Sequence, residues 1–596
     1  MDCRPNIVII ITDQERSHKH FPDGWAQKNL RVHYDRLIGC KGEYGANRSS
    51  AVFNNAFTAT TECSPSRASL LTSSYPTEHG VVTTPGVLDP NSDLGLSSTS
   101  GGDGVDVLTT SAPRSQRPNL LRLLSGKNST TKDIHANGYN VSWKGKWHLF
   151  HSNDATILKS YGATTHWNPP DAGHSLSLPF TLGGGLRYNH DGRFLRGHRK
   201  KFDVLLKRKH SESEEESQKT AVADFNHPTE GEQKEDEGTE SVFDFLARQR
   251  LDSNGGNRAQ PFCLVASLVN PHDVWASSCF SKLSDEEFYR ETGYHPRDFE
   301  SIPIDLPPSH SDDLSSKPSI QTLLRSHPVF GDLSTVIDND QLTSDALRYI
   351  RFYAYLHKCV DDEIGSLLDE LHATGQMDNT VIIRLADHGE LGLCHAMREK
   401  RMQCYEETMS IPLVINYPSD LFNKGNGSIP QSTSTVIPYL VSSIDILPTI
   451  AELAGIDIGQ YMYRGTSLIP FLKDESIFCK SEEEILFTFD EQLAPSGVPG
   501  CIRCIRTLNM KYAVYFTSDG RIMEFEMYDL QADPHEMFNL CGPHTVPDER
   551  WWSFHNRLTQ LMKRKGAVPL CFDWESKSKP RKWTRFIDLT LTDLIK

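Results

Sequence analysis

The chain is 596 residues long, more than one ordinary domain needs, so a large core unit with a smaller appendage is the natural organisation. Sixty-two Lys and Arg against 78 Asp and Glu leave a net charge of −16, which argues against nucleic acid as the main partner. The 13 cysteines follow no framework spacing, which fits reduced thiols better than a secreted disulfide scaffold, and no apolar run is long enough to span a bilayer. The chain enters a strand pattern almost at once, with no basic flank leading into an apolar signal segment, so the expected location is cytoplasmic.

Asn6 to Asp13 (NIVIIITD) is a β-branched run ending in a carboxylate, the pattern of a central parallel strand buried on both faces. Open α/β sheets bind ligands beyond the carboxyl ends of their strands, so Asp13 is a candidate metal ligand; the plain alternative is a turn or N-cap aspartate. Thr60 to Thr72 (TTECSPSRASLLT) puts Pro65 in the first turn of a helix continued by Ala68 to Leu71, with Cys63 at its N-terminus. A thiol there is favoured as an anion, although a lone cysteine more often packs as a small hydrophobe.

From Gly86 to Thr131 the chain is rich in Ser, Thr, Gly and Asp, which reads as a loop insertion over about 86–116, and Leu120 to Leu124 interrupts it as a short apolar helix. Gly138 to His148 is a short strand running into a turn that carries Lys144, Lys146 and His148; this suits an anion, with a solvated basic loop as the alternative. Residues from about 196 to 242 pass from basic to strongly acidic with few apolar side chains, the composition of a disordered surface insertion.

Pro261 to Asp273 is another buried-strand pattern, running out at His272. Ser344 to Gly375 carries apolar residues at helical spacing and stops at Gly375. Thr380 to Glu390 is a strand that ends in Asp387-His388, so Asp13 and Asp387 are expected to converge from neighbouring strand ends. Lys400 and Arg401 precede the strand pattern at Ile411, and Ser443 to Gly455 reads as a helix with Pro448 in an early turn. Met510 to Phe516 and Ile522 to Tyr528, on either side of Asp519-Gly520, form a hairpin pattern in a smaller C-terminal unit. Cys501-x-x-Cys504 has no second pair beside it and reads as two incidental thiols near a strand.

Cys63-Ser64-Pro65-Ser66-Arg67 resembles the signature of the type I sulfatases of the alkaline phosphatase-like superfamily. The resemblance runs from Asn6 to about Leu540 and includes Gly145-Lys146-Trp147-His148, Asp387-His388, Lys400 ahead of Tyr405-Glu406, and Tyr528 to Leu540. The Asp13-Gln14 and Asp387-His388 pairs are similar to those of choline-sulfatase-like and phosphonate monoester hydrolase-like members. One departure is Ser73, where the family usually has Gly.

The resemblance implies an α/β fold with a large, mostly parallel central sheet flanked by helices over residues 1–475, and a smaller α+β subdomain on an antiparallel sheet over 476–596. It implies hydrolysis of a small-molecule or carbohydrate sulfate ester to an alcohol and sulfate, with Cys63 oxidised to formylglycine by a formylglycine-generating enzyme. Asp13, Gln14, Cys63, Asp387 and His388 are the implied ligands of one divalent metal, calcium foremost, with manganese or magnesium as alternatives. Gln14 is the optional ligand, and His388 widens the tolerance for manganese. Arg67 then orients the nucleophile, Lys146 and Lys400 bind the sulfate, His148 contacts the formylglycine, and His272 protonates the leaving oxygen. Arg401 is the fallback for Lys400, Lys144 has no implied role, and an oligomer is compatible with all of this. Two rivals stay open: a phosphonate monoester hydrolase or phosphodiesterase on the same scaffold, and a non-enzymatic scaffold protein that retains the site.

Overall fold

The computed structural model describes residues 4–39, 47–84, 118–126, 138–149, 158–166 except 160, 240–275 except 255–259, 284–327 except 293, 339–422, 433–473, 483–490, and 497–579 except 571. The loop insertion over 86–116 and all but the last three residues of the charged insertion over 196–242 lie outside them.

Strands β1 (Asn6–Asp13), β2 (Arg48–Phe57), β3 (Asn140–Gly145), β4 (Thr165–His166), β5 (Phe262–Pro271), β6 (Thr380–Ala386), β7 (Leu413–Pro418) and β8 (Ser434–Ser442) form one sheet in the order β4-β3-β5-β1-β6-β7-β2-β8. β1 pairs in parallel with β5 and β6, and β3 continues the parallel array beyond β5. β7 runs antiparallel to both its neighbours, β6 and β2. Every residue of β1, β5 and β6 is buried, which is why these strands read as unbroken apolar runs rather than alternating ones.

Helices cover both faces, as a mostly parallel sheet requires. Ile7, Ile9 and Ile11 share a core with Ala68, Leu70 and Leu71 of helix α1 (Cys63–Thr72) and with Ile446, Leu447 and Ile450 of a later helix, Ile446–Leu453. Val8 and Ile10 face the opposite side, against Phe243, Phe245 and Leu246 of helix α2 (Val242–Asn254) and Val360, Ile364, Leu367 and Leu371 of helix α3 (Asn339–Ala373). Helix α3 starts five residues before the Ser344 expected from periodicity, and the added Asn339 to Thr343 carries a single apolar residue, Leu342, too little to extend the pattern. The helix at Ile446–Leu453, α4, holds Pro448 in its first turn.

A second sheet of strands β9 (Glu484–Asp490), β10 (Cys501–Thr507), β11 (Met510–Phe516) and β12 (Met523–Asp529) is wholly antiparallel, in the order β12-β11-β10-β9. One face packs on helix α5 (Glu549–Lys565) through Ile505, Tyr512 and Val514 against Leu558, Leu561 and Met562. The other packs Ile502, Cys504, Ala513 and Tyr515 against Met397, Met402, Tyr405 and Met409 of the large unit. Cys501 and Cys504 therefore belong to opposite faces, and both are free thiols. Buried charges tie this sheet to the chain just after Lys400: the Arg506 guanidinium donates to both Glu406 oxygens at 3.1 and 3.0 Å, and the Glu406 N–H donates to Glu536 at 2.8 Å.

Ser73 ends helix α1 in the left-handed region (φ 48°, ψ 47°), the conformation for which glycine is the easy choice. Its hydroxyl offsets that strain by donating to the Ile444 carbonyl at 2.7 Å and accepting the Gly465 N–H at 3.0 Å. Replacing Ser73→Ala keeps the strain and removes both bonds, so it should lower stability by about 1–3 kcal/mol in urea unfolding. Ser73→Gly should fall between Ala and the parent, because it relieves about 1 kcal/mol of backbone strain.

Candidate active site and metal centre

The strand register sets the site. Thr12 of β1 lies opposite Ala386 of β6, so the next residues, Asp13 and Asp387, leave the sheet side by side at its carboxyl edge. The first residue of α1, Cys63, meets them there: its Sγ lies 3.6 Å from Asp13 Oδ1 and 3.4 Å from His388 Nε2. One ligand atom from each of Asp13, Cys63, Asp387 and His388 lies within 4.8 Å of the others, and all four residues are buried.

The chemistry of this donor set fits a divalent cation. The two carboxylates suit a hard ion and the imidazole also accepts a transition metal, with Cys63 Sγ as the fourth possible ligand atom. His388 Nδ1 faces the Gly389 carbonyl at 2.9 Å, an acceptor that keeps the proton on Nδ1 and leaves the Nε2 lone pair turned toward the group. Burial pulls the His388 imidazole down, but Asp387 and Cys63 push it up to about 9, so a cation would bind there in competition with a proton.

Cations surround the cluster. Arg67 follows Cys63 by four residues, hence on the same helix face. Its guanidinium donates to Asp387 Oδ2 at 3.0 Å, Asp13 Oδ2 at 2.9 Å, the Lys146 carbonyl at 2.9 Å and Ser267 Oγ at 2.8 Å. Lys146 Nζ is 2.8 Å from Asp13 Oδ2 and 3.8 Å from Cys63 Sγ. Burial alone would raise Asp13, yet Lys146, His272 and Arg67 hold it well below the usual carboxylate range. Burial and the Asp13 charge together push Asp387 up to about 7. Burial and Asp13 also oppose ionisation of Cys63, but Lys146, Lys400 and His388 outweigh them and hold the thiol well below its ordinary range.

The remaining expected residues take distinct places. His272 Nε2 lies 4.0 Å from Asp13 Oδ1, and its side chain is 21% exposed where the ligand cluster is sealed, so it stands on the open side. His148, at φ 58°, is tied to the start of α1 by the Ser64 hydroxyl, which donates to its carbonyl. Lys400 gives its ammonium to Gln14 Oε1 and lies 3.1 Å from Glu399, while Gln14 Nε2 donates to Glu390 at 2.6 Å and Glu399 at 3.3 Å. The amide oxygen of Gln14 thus faces Lys400 in this arrangement. Arg401, the fallback, turns to Glu62 instead, and Lys144 pairs with Glu240 at 3.2 Å on the face toward α2.

Glu390, Glu399 and Tyr349 were not singled out by sequence reasoning. Glu390 is the hub that accepts from Gln14, the Tyr349 hydroxyl at 2.8 Å and the Glu399 N–H at 2.8 Å. Its position three residues after Asp387 in a buried polar run was the available clue.

Residues 5–456 match the sulfatase family. The chain belongs to that family. A second match, to the C-terminal region of N-sulphoglucosamine sulphohydrolase, spans residues 393–564. Among curated relatives, N-acetylglucosamine-6-O-sulfatase of Bacteroides thetaiotaomicron is 34% identical over 33% of this chain and 32% of its own length. Human N-acetylglucosamine-6-sulfatase is 23% identical over 97% of this chain and 88% of its own. A protein solved with its substrate D-glucosamine-2-N,6-O-disulfate shares the fold, at a TM-score of 0.57 and 19% identity, over 94% of this chain and 98% of that one.

Because the cluster links the ends of β1, β6 and α1, ion binding should stabilise the native state. Added calcium at about 100 times its Kd should contribute about 2.7 kcal/mol, read as a raised unfolding temperature. Asp387→Asn should abolish that shift, with calorimetry of calcium binding as the independent check.

Proposed function

We propose that this sulfuric ester hydrolase acts on a carbohydrate sulfate, in the first instance a 6-sulfated N-acetylglucosamine, and releases inorganic sulfate. The observation that carries the reaction class is the set of cationic side chains around buried Cys63, with Lys146 Nζ 3.8 Å and His388 Nε2 3.4 Å from its Sγ, which favours negative charge there. A sulfate ester places negative charge at the same point, and fixed, buried cations stabilise its transition state without having to reorganise. The likeness to two amino-sugar sulfatases supports the substrate class.

Cys63, oxidised to formylglycine, would present a hydroxyl of its hydrated aldehyde as the nucleophile. A divalent ion held by Asp13, Asp387, His388 and that residue, calcium foremost, would acidify this hydroxyl and neutralise sulfate charge. Arg67 fixes Asp13 and Asp387 relative to α1 through four donor contacts. Lys146 and Lys400 supply the positive charge that the sulfate oxygens meet, and His148 is assigned the base that takes a proton from the modified residue. His272 is assigned the acid: burial, Lys146 and Lys400 lower its proton affinity, which makes it a stronger donor toward the departing sugar oxygen.

Sulfate release from N-acetylglucosamine 6-sulfate, measured beside matched phosphate and phosphonate monoesters, tests the reading. The sulfate ester should be turned over fastest; a faster phosphonate ester would move the chain to the rival chemistry. His272→Ala should cost about 10²–10⁴-fold with the sugar ester and far less with a nitrophenyl sulfate, whose leaving group needs no proton.

A further inference from the structure

Glu62, the residue before Cys63, is 1% exposed and adopts φ 68°, ψ 143°, a backbone region that non-glycine residues rarely occupy. Its carbonyl accepts the Ser66 N–H at 3.0 Å and so starts α1, while its carboxylate forms an ion pair with the Arg401 guanidinium. A lone buried carboxylate is costly, and one beside a nucleophile that meets an anion is doubly unfavourable, so its partner carries the explanation. Arg401 follows Lys400 directly, at the far end of the loop that begins with Asp387 and His388. That loop is already folded on itself by the Leu391 N–H on the Glu399 carbonyl at 3.1 Å and the Glu399 N–H on Glu390 at 2.8 Å. The Arg401 contact adds a second closure, from the loop to the residue that carries the nucleophile.

We propose that the Glu62–Arg401 ion pair is a positioning device for sulfate-ester hydrolysis, holding the Lys400 ammonium and the residue at 63 at a fixed separation across the bound sulfate. This inference rests on the sulfatase reading given above. It separates Arg401 from Lys400 in role: Lys400 meets the anion, and Arg401 keeps Lys400 in place.

The sign of one substitution distinguishes positioning from simple charge. Removing a negative charge near an anion site should tighten sulfate binding by Coulomb attraction alone. If Glu62 positions Lys400, Glu62→Gln must weaken it instead. The experiment measures KM for N-acetylglucosamine 6-sulfate and the inhibition constant of inorganic sulfate in the full-length protein, per mole of modified Cys63 as counted by peptide mass. Glu62→Gln and Arg401→Gln should each raise both constants about tenfold or more, and the double variant should lose little beyond either single one. Should Arg401→Gln not fold, Arg401→Lys retains the charge without the planar donor fork and should show a smaller rise in the same direction. Tighter or unchanged sulfate inhibition in Glu62→Gln, or additive losses in the double variant, would overturn the proposal. A parent protein with modified Cys63 that releases no sulfate from any ester would instead overturn the sulfatase reading itself.

Discussion

The guanidinium of Arg67 between the carboxylates of Asp13 and Asp387 is the contact on which the rest of the site depends. Two buried carboxylates at adjacent strand ends repel each other, and the sheet register leaves them no room to separate. Arg67 offsets that repulsion with a donor on each and two further bonds to Lys146 and Ser267. The spacing of four residues between Cys63 and Arg67 is one helical turn, so the clamp and the candidate nucleophile rise from one face of α1. A lysine could reach one carboxylate but could not span both with a planar fork.

From that clamp the surrounding elements follow. Lys146 reaches in from the end of β3, His272 from the end of β5, and the loop after β6 supplies His388, Glu390, Glu399 and Lys400 in turn. The antiparallel sheet contributes no group to the ligand cluster, yet it packs under the chain that carries Lys400 and fixes Glu406 through Arg506. Its packing and the Arg506–Glu406 pair anchor the chain next to Lys400, and fixed charge is worth most to a developing anion where it need not reorganise.

Much of this was legible in the sequence because burial on both faces writes itself as unbroken β-branched runs. Asn6–Asp13 ended in one carboxylate that the structure brings to the cluster, Thr380–Ala386 ran directly into the other, Asp387, and Pro65 marked the first turn of α1. The choice of Lys400 over Arg401 rested on the family resemblance alone. Both lie in a loop where Leu393, His395, Ala396, Glu399 and Met402 all have positive φ, so no periodicity says which side chain turns inward. Lys144 and Lys146 differ for the opposite reason. They sit two apart at a strand end, where the last paired residue, Gly145, lets the chain turn, and only Lys146 enters the site. Glu62 gave no signal because an isolated acid looks alike whether it faces solvent or a buried cation.

The chemistry of the site depends on what Cys63 becomes. The most direct measurement is the mass of the Cys63 peptide in protein purified from its native host, taken alongside its rate of sulfate release. The account predicts a mass loss matching exchange of the thiol group for an aldehyde, in proportion to activity. Full activity from protein whose Cys63 remains an unmodified thiol would contradict it.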